Sequence, residues 1–165
     1  MPPYNTLIIG SELEIAEHVI ADLTEGFGEV IACDGLLYTW TGTHWTVIPS
    51  SQLFPLITPY DGLEYGHTGH KRLIRLSNQK IDAIEKLIVR NRECPGFFDE
   101  PETGVPCQNG FVMFADDQAS LVPHHKKHLN RHILPVPWTG DVVTEPPQGS
   151  LLRDYLQGIF RGDPE

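Results

Sequence analysis

Between Cys107 and Val122 the chain turns, runs apolar, turns back and runs apolar again, and a continuous helix cannot follow that order. Asn109-Gly110 has turn chemistry, because both residue types tolerate positive φ. Phe111, Val112, Met113 and Phe114 form a short apolar run of strand type. Ala115-Asp116-Asp117-Gln118 reverses the chain, and 119–122 returns as a second strand. The stretch 124–131 is polar and basic, and Ile133-Leu134-Pro135-Val136-Pro137-Trp138 leaves as an extended apolar segment.

Fourteen prolines and fifteen glycines extend this short-element character to the whole chain. One domain of 165 residues is the default at this length, with enough chain to bury a core. An apolar content of 40% argues against bulk disorder. No apolar run approaches the roughly 18 residues that a membrane span needs. No basic residue precedes an apolar stretch near Met1, so no secretory signal is expected. Cys33, Cys94 and Cys107 are odd in number and form no C-x-x-C pair. A reduced, cytoplasmic protein is the expectation.

Helical spacing appears in four places. Ser11 with Glu14 has capping-box spacing, and Ile15, His18, Val19, Ile20 and Leu23 continue at helical intervals. This predicts a helix over 12–23, ended at Gly26-Phe27-Gly28. A short helix is expected over 50–56. Ser77 is an N-cap for a helix to 91, with Ile81, Ile84, Leu87 and Ile88 on one face. Leu151, Leu152, Tyr155, Leu156, Ile159 and Phe160 mark a last amphipathic helix. Strands are expected over 30–32, 36–40 and 45–48, the last two joined through Gly42, and another over 71–76. Loops are expected over 60–69, 93–106 and 139–149. The fold class is therefore α+β, small antiparallel β-hairpins packed with three or four helices in a single compact domain.

Tyr38, Trp40 and Trp45 admit two readings. They are cross-strand packing partners, or they are a platform on which nucleic-acid bases stack. The usual role of aromatics in half-buried strands favours packing.

Charge is unevenly distributed. Residues 1–69 hold nine acids and no Lys or Arg, whereas 70–131 holds ten of the twelve bases against eight acids. A net charge of −10 argues against strong autonomous DNA binding, because phosphate neutralisation supplies most of such affinity. A local basic face is still compatible with it. Lys71, Arg72, Arg75, Lys80, Lys86, Arg90 and Arg92 form the main concentration. Its two readings are a solvated helix face balanced by Asp82 and Glu85, which is the commoner case, and a phosphate-contacting edge.

Catalytic signatures are sparse. There is no Gly-Lys dipeptide, hence no G-x-x-x-x-G-K-[ST] phosphate loop, and no G-x-S-x-G or H-E-x-x-H. His124, His125, His128 and His132 are candidate metal ligands, with 124/128 and 128/132 as i, i+4 pairs on a helix, but Lys126, Lys127 and Arg131 interleave them, and cations repel a metal. Exposed polar turn residues are the preferred reading, as is a turn rather than a divalent-ion site for Asp116-Asp117. No catalytic residue, metal or cofactor is assigned.

Taken in order, these motifs resemble the region just upstream of the superfamily-three helicase in phage, plasmid and poxvirus primase–helicases. An early helix leads into an aromatic hairpin of the type Tyr-x-Gly-x-x-Trp, which 37–45 is similar to, with Gly42 four residues after Tyr38 and Trp45 closing it. A helix led by Ser77 follows, then the strand signature Asn109-Gly110-Phe111-Val112-Met113-Phe114 and the apolar exit Leu134-Pro135-Val136-Pro137. The chain departs from the pattern at Asp116-Asp117-Gln118, where a Gly is usual, and at Trp138-Thr139-Gly140, where aspartates are usual.

The resemblance implies a non-catalytic, collar-like accessory domain over 1–145 and a connector helix over 146–165, leading to an ATP-dependent DNA helicase domain in cis. It implies weak contact with single-stranded or forked DNA through Lys71, Arg72, Arg75, Lys80, Arg90, Lys126, Lys127 and Arg131, with the first 69 residues facing protein or solvent. It further implies self-association only in the full-length replication protein, and no membrane partner. The rivals are an acidic protein-interaction module with no nucleic-acid role and a small metal-dependent hydrolase using 124–132 and Asp116-Asp117.

Overall fold

In the computed structural model, which describes residues 7–66, 70–115 and 118–140, the chain begins with a doubly anchored helix start. Ser11 Oγ accepts from the Glu14 N–H at 3.2 Å, as the capping spacing requires. The Glu14 carboxylate reaches back past the cap and accepts from the N–H groups of Ile8, Ile9 and Gly10 at 2.7, 3.0 and 2.7 Å. Partial burial pushes the Glu14 pKa up, but those three bonds and nearby His18 outweigh it, and the net shift is downward. Gly10 is required here: its φ is +66° and a Cβ would sit 2.5 Å from the Tyr65 ring.

Helix α1 (Glu12–Phe27) outruns its expected end by one turn, because Gly26 continues the helix and Gly28, at φ +83°, stops it. Strands β1 (Val30–Cys33), β2 (Leu36–Trp40) and β3 (Trp45–Val47) form an antiparallel sheet in that order. Asp34 and Gly35 join the first two with φ of +53° and +76°, the double-positive geometry of a two-residue hairpin. Buried Thr39 donates from Oγ1 to the Phe27 carbonyl, tying the end of α1 to this sheet.

Helix α2 (Ser50–Ile57) falls close to its expected place. The segment expected as a surface loop over 60–69 is more ordered than composition suggests. Tyr60 is buried, and β4 (Glu64–Tyr65) pairs antiparallel with β5 (Arg72–Leu73). The strand expected over 71–76 contracts to those two residues, because Leu76 N–H turns instead to the Asp61 carboxylate at 2.8 Å. Helix α3 (Asn78–Arg92) is capped by Ser77 Oγ, which accepts from the Lys80 N–H.

The principal core lies between α1, α2, α3 and the inner face of the first sheet. Ala16, Val19, Leu23, Ala32, Ile57, Ile84 and Ile88 are all fully buried there. Each buried Val, Leu or Ile among them stabilises the fold by roughly 1.5–3 kcal/mol through removal of apolar surface from water, and each Ala by less.

A third antiparallel sheet holds β6 (Gly104–Cys107), β7 (Gly110–Ala115) and β8 (Gln118–Val122). The β7–β8 pair confirms the expected hairpin, with Phe111 opposite Val122 and Phe114 opposite Ala119. Strand β6 corrects the loop expected over 93–106. Pro106 is tolerated in it because its nitrogen shares the outer edge with its carbonyl, which accepts from the Leu134 N–H, so no bond to β7 is lost. Gln108 and Asn109 form the β6–β7 turn, and neither has positive φ. Asn109 instead brackets the exit segment, donating to the Trp138 carbonyl at 2.9 Å and accepting from its N–H at 2.8 Å.

The architecture is α+β, three helices and three small antiparallel sheets among the described residues, in one domain. The Asp116-Asp117 turn, the amphipathic segment 151–160 and the connector 146–165 lie outside the described residues.

Candidate functional site

The segment 124–132 straps the third sheet to the first. Trp45 holds it twice, through its backbone N–H to the Asn130 carbonyl at 2.7 Å and its indole Nε1–H to the Lys126 carbonyl at 3.0 Å. The indole itself packs edge-on against Phe97 at 5.1 Å, with Trp40 and Phe98 adjoining. Tyr38 meets Phe98 edge-on at 4.8 Å. Trp45 and Tyr38 are buried, so packing is their role, and a base-stacking platform built on them is excluded. Phe97 and Phe98, which complete this cluster, follow Pro95-Gly96 in the expected loop, where only the adjacent aromatic pair hinted at burial.

Several of the cations already have partners. Acids from the base-free first 69 residues reach three of them: Glu64 pairs with Lys71, Glu12 with Lys80 and Glu29 with Lys126. Glu102 pairs with Lys127 at 3.5 Å. Arg131 lies 5.2 Å above the Phe98 ring, a cation–π contact. The two charge populations that are separate in sequence are therefore interleaved in space. Arg72, Arg75 and Arg90 are exposed, and no ion pair or hydrogen bond among the described residues engages their guanidinium groups. Arg72 and Arg75 flank the β5 end of the second sheet, while Arg90 is in the last turn of α3.

Arg90 also borders a cleft of about 560 Å³, lined on α3 by Asp82, Glu85, Lys86 and Val89 and opposite by Gly35, Ser50 and Leu53. Its charged lining runs as two acids, Asp82 and Glu85, then two bases, Lys86 and Arg90, then Glu93. Burial and then the Asp82 charge push the Glu85 carboxyl up, so that acid holds its proton more readily than an ordinary glutamate.

The histidines depart most from expectation. The strap is not an α-helix but a single 3-10 turn, Lys126–His128, ended by Leu129 at φ +57°. The i, i+4 ligand geometry is thereby lost, and no group of three His, Cys, Asp or Glu among the described residues is arranged to hold a metal. Nor are these all exposed turn residues. His128 is 2% exposed and stacks on Phe111 with ring centroids 4.1 Å apart and planes 19° from parallel. Both ring nitrogens of His124 are shielded from solvent and without a hydrogen-bond partner. His44 is pushed below the usual histidine range by burial first, then by His132 and His124. No signal in the sequence marks His128 as buried, because its neighbours are charged.

No helix among the described residues is long and apolar enough to cross a membrane. No protein-family model, curated protein or solved structure matches this chain.

Proposed function

We propose that this chain is a non-catalytic, collar-like accessory domain of a cytoplasmic phage- or plasmid-type DNA primase–helicase. It positions DNA and organises subunits next to a helicase domain in cis. The order of sequence motifs supports that family reading. The observation that carries DNA contact is the uncommitted state of Arg72, Arg75 and Arg90, whose guanidinium groups are free to meet phosphate. Lys71, Lys80, Lys126 and Lys127 already have carboxylate partners and contribute less. Contact is weak and salt-sensitive, as expected from few phosphates neutralised by an acidic domain.

Titration of the 165-residue chain with single-stranded and forked DNA at low salt tests this. The double change Arg72→Ala/Arg75→Ala is expected to weaken binding and to lower the salt slope by about one per arginine engaged. The double change Lys126→Ala/Lys127→Ala is expected to have the smaller effect. Equal affinity of the arginine variant and the parent chain would reject the assignment.

Neutralisation of four cations favours a second reading, an acidic protein-interaction module with no nucleic-acid role. Footprinting on forked DNA with the full-length protein separates the two, since this version protects no nucleotide near the domain.

A further inference from the structure

The closed strap requires a neutral histidine. His128 Nδ1 accepts a hydrogen bond from the His125 N–H at 3.2 Å, so that nitrogen carries a lone pair and the ring proton sits on Nε2. The same bond caps the 3-10 turn, whose other half is His125 Nδ1 accepting from the Lys127 N–H at 3.1 Å. A second proton on His128 would set N–H against N–H and break the cap.

The surroundings do little to accommodate the charged ring. From β7 it meets the apolar face of Phe111. From the loop before β6 it meets Glu102, whose Oε2 lies 3.4 Å from Nε2. That carboxylate already pairs with Lys127 through Oε1. Lys127, His125 and His124 of the strap all oppose a positive charge there. His44 of the β2–β3 turn is near His124 and His132, the first and last positions of the strap, so acid adds like charges across that seam as well.

We propose that segment 124–132 is a pH-operated strap: closed over Trp45 and the third sheet while His128 is neutral, released on acidification, and thereby freeing Lys126, Lys127 and Arg131 from their present partners. Burial is the main force holding His128 below the ordinary histidine value of 6.5; Glu102 acts in the opposite direction, and Lys127, His125 and His124 add to the lowering. The released strap titrates near that ordinary value and binds more protons than the closed one below it. Closure is therefore fully favoured above about pH 6.5 and is lost as pH falls beneath it.

Hydrogen exchange on the 165-residue chain reads this directly. The reporters are the Trp45 indole and backbone N–H groups, both bonded to the strap, referenced to the amides of Ile84 and Ile88 in α3. Between pH 7.5 and 5.5 the Trp45 protection factors are expected to fall by up to about tenfold per pH unit below 6.5, with the α3 amides unmoved. His128→Phe keeps a ring against Phe111 but cannot take a proton, and most of the acid loss should disappear, leaving only the smaller part due to His44, His124 and His132. Glu102→Gln removes the one group that favours the charged ring in the closed form, so the acid loss should deepen. Trp45 protection that stays level with α3 across this range would overturn the proposal. So would a full acid loss in His128→Phe, or an unchanged or smaller loss in Glu102→Gln.

Discussion

The helical body and the third sheet are stabilised in different ways. In the body, α1 and α3 bury aliphatic residues at helical spacing, and Ile84, Ile88, Val19 and Leu23 see almost no solvent. Around the third sheet, closure relies on Phe111 under His128, two hydrogen bonds from Trp45 and the Asn109 bracket on Trp138. Its outer residues Phe114, Leu121 and Leu134 are 40–55% exposed. Apolar burial in the body is indifferent to pH, whereas the strap depends on a proton being absent. The comparison teaches that one domain can place its stability in one region and its sensitivity in another.

Emptying each region in turn separates the two. Ile84→Ala should cost about 2–5 kcal/mol and lower the urea midpoint of helix and tryptophan signals together. Phe111→Ala removes as much buried surface but should loosen the third sheet and strap while far-UV circular dichroism of the helices persists. If the helices melt with it, the two regions are one cooperative unit. Next in size is Trp45→Phe, which keeps a ring but leaves the Lys126 carbonyl without its donor. A loss of about 1–2 kcal/mol is expected in denaturant titration, larger for the strap than for the body.

Smaller effects sharpen the body's side. Ser11→Ala should cost about 1 kcal/mol by removing the α1 cap. Glu14→Gln should be destabilising at neutral pH and converge on the parent chain in acid. The lowered Glu14 pKa means its contribution is present above the ordinary value of 4.5 and lost as pH falls through the folded one. Stability curves from pH 7 to 3 check the sign. Smallest of all is Lys71→Ala, where an exposed pair with Glu64 is removed and no measurable change in melting temperature is expected.

Residues that act through near neighbours were legible in the chain. Ser11 and Ser77 announced their helices and the apolar run after Gly110 its strand, because caps, turns and periodicity are properties of a few consecutive residues. The α1 overrun at Gly26 shows the limit: a Cβ there would meet nothing, so local signals alone do not say which glycine ends the helix. Strand β6 was hidden because Gly and Pro occupy two of its four positions, and its pairing is supplied by β7 and Leu134.

The α+β class, the three described helices, the β7–β8 hairpin and the acid–base imbalance between its parts follow from the local order of residues along the chain. How that imbalance resolves depends on packing in space, since Glu64, Glu12 and Glu29 reach their lysines across 7, 68 and 97 positions of chain. Packing also decided that His128, set among charged residues, is buried on Phe111. Local propensity acts over a turn or two, whereas ion pairing, stacking and desolvation depend on distance through space, which no short window of sequence contains.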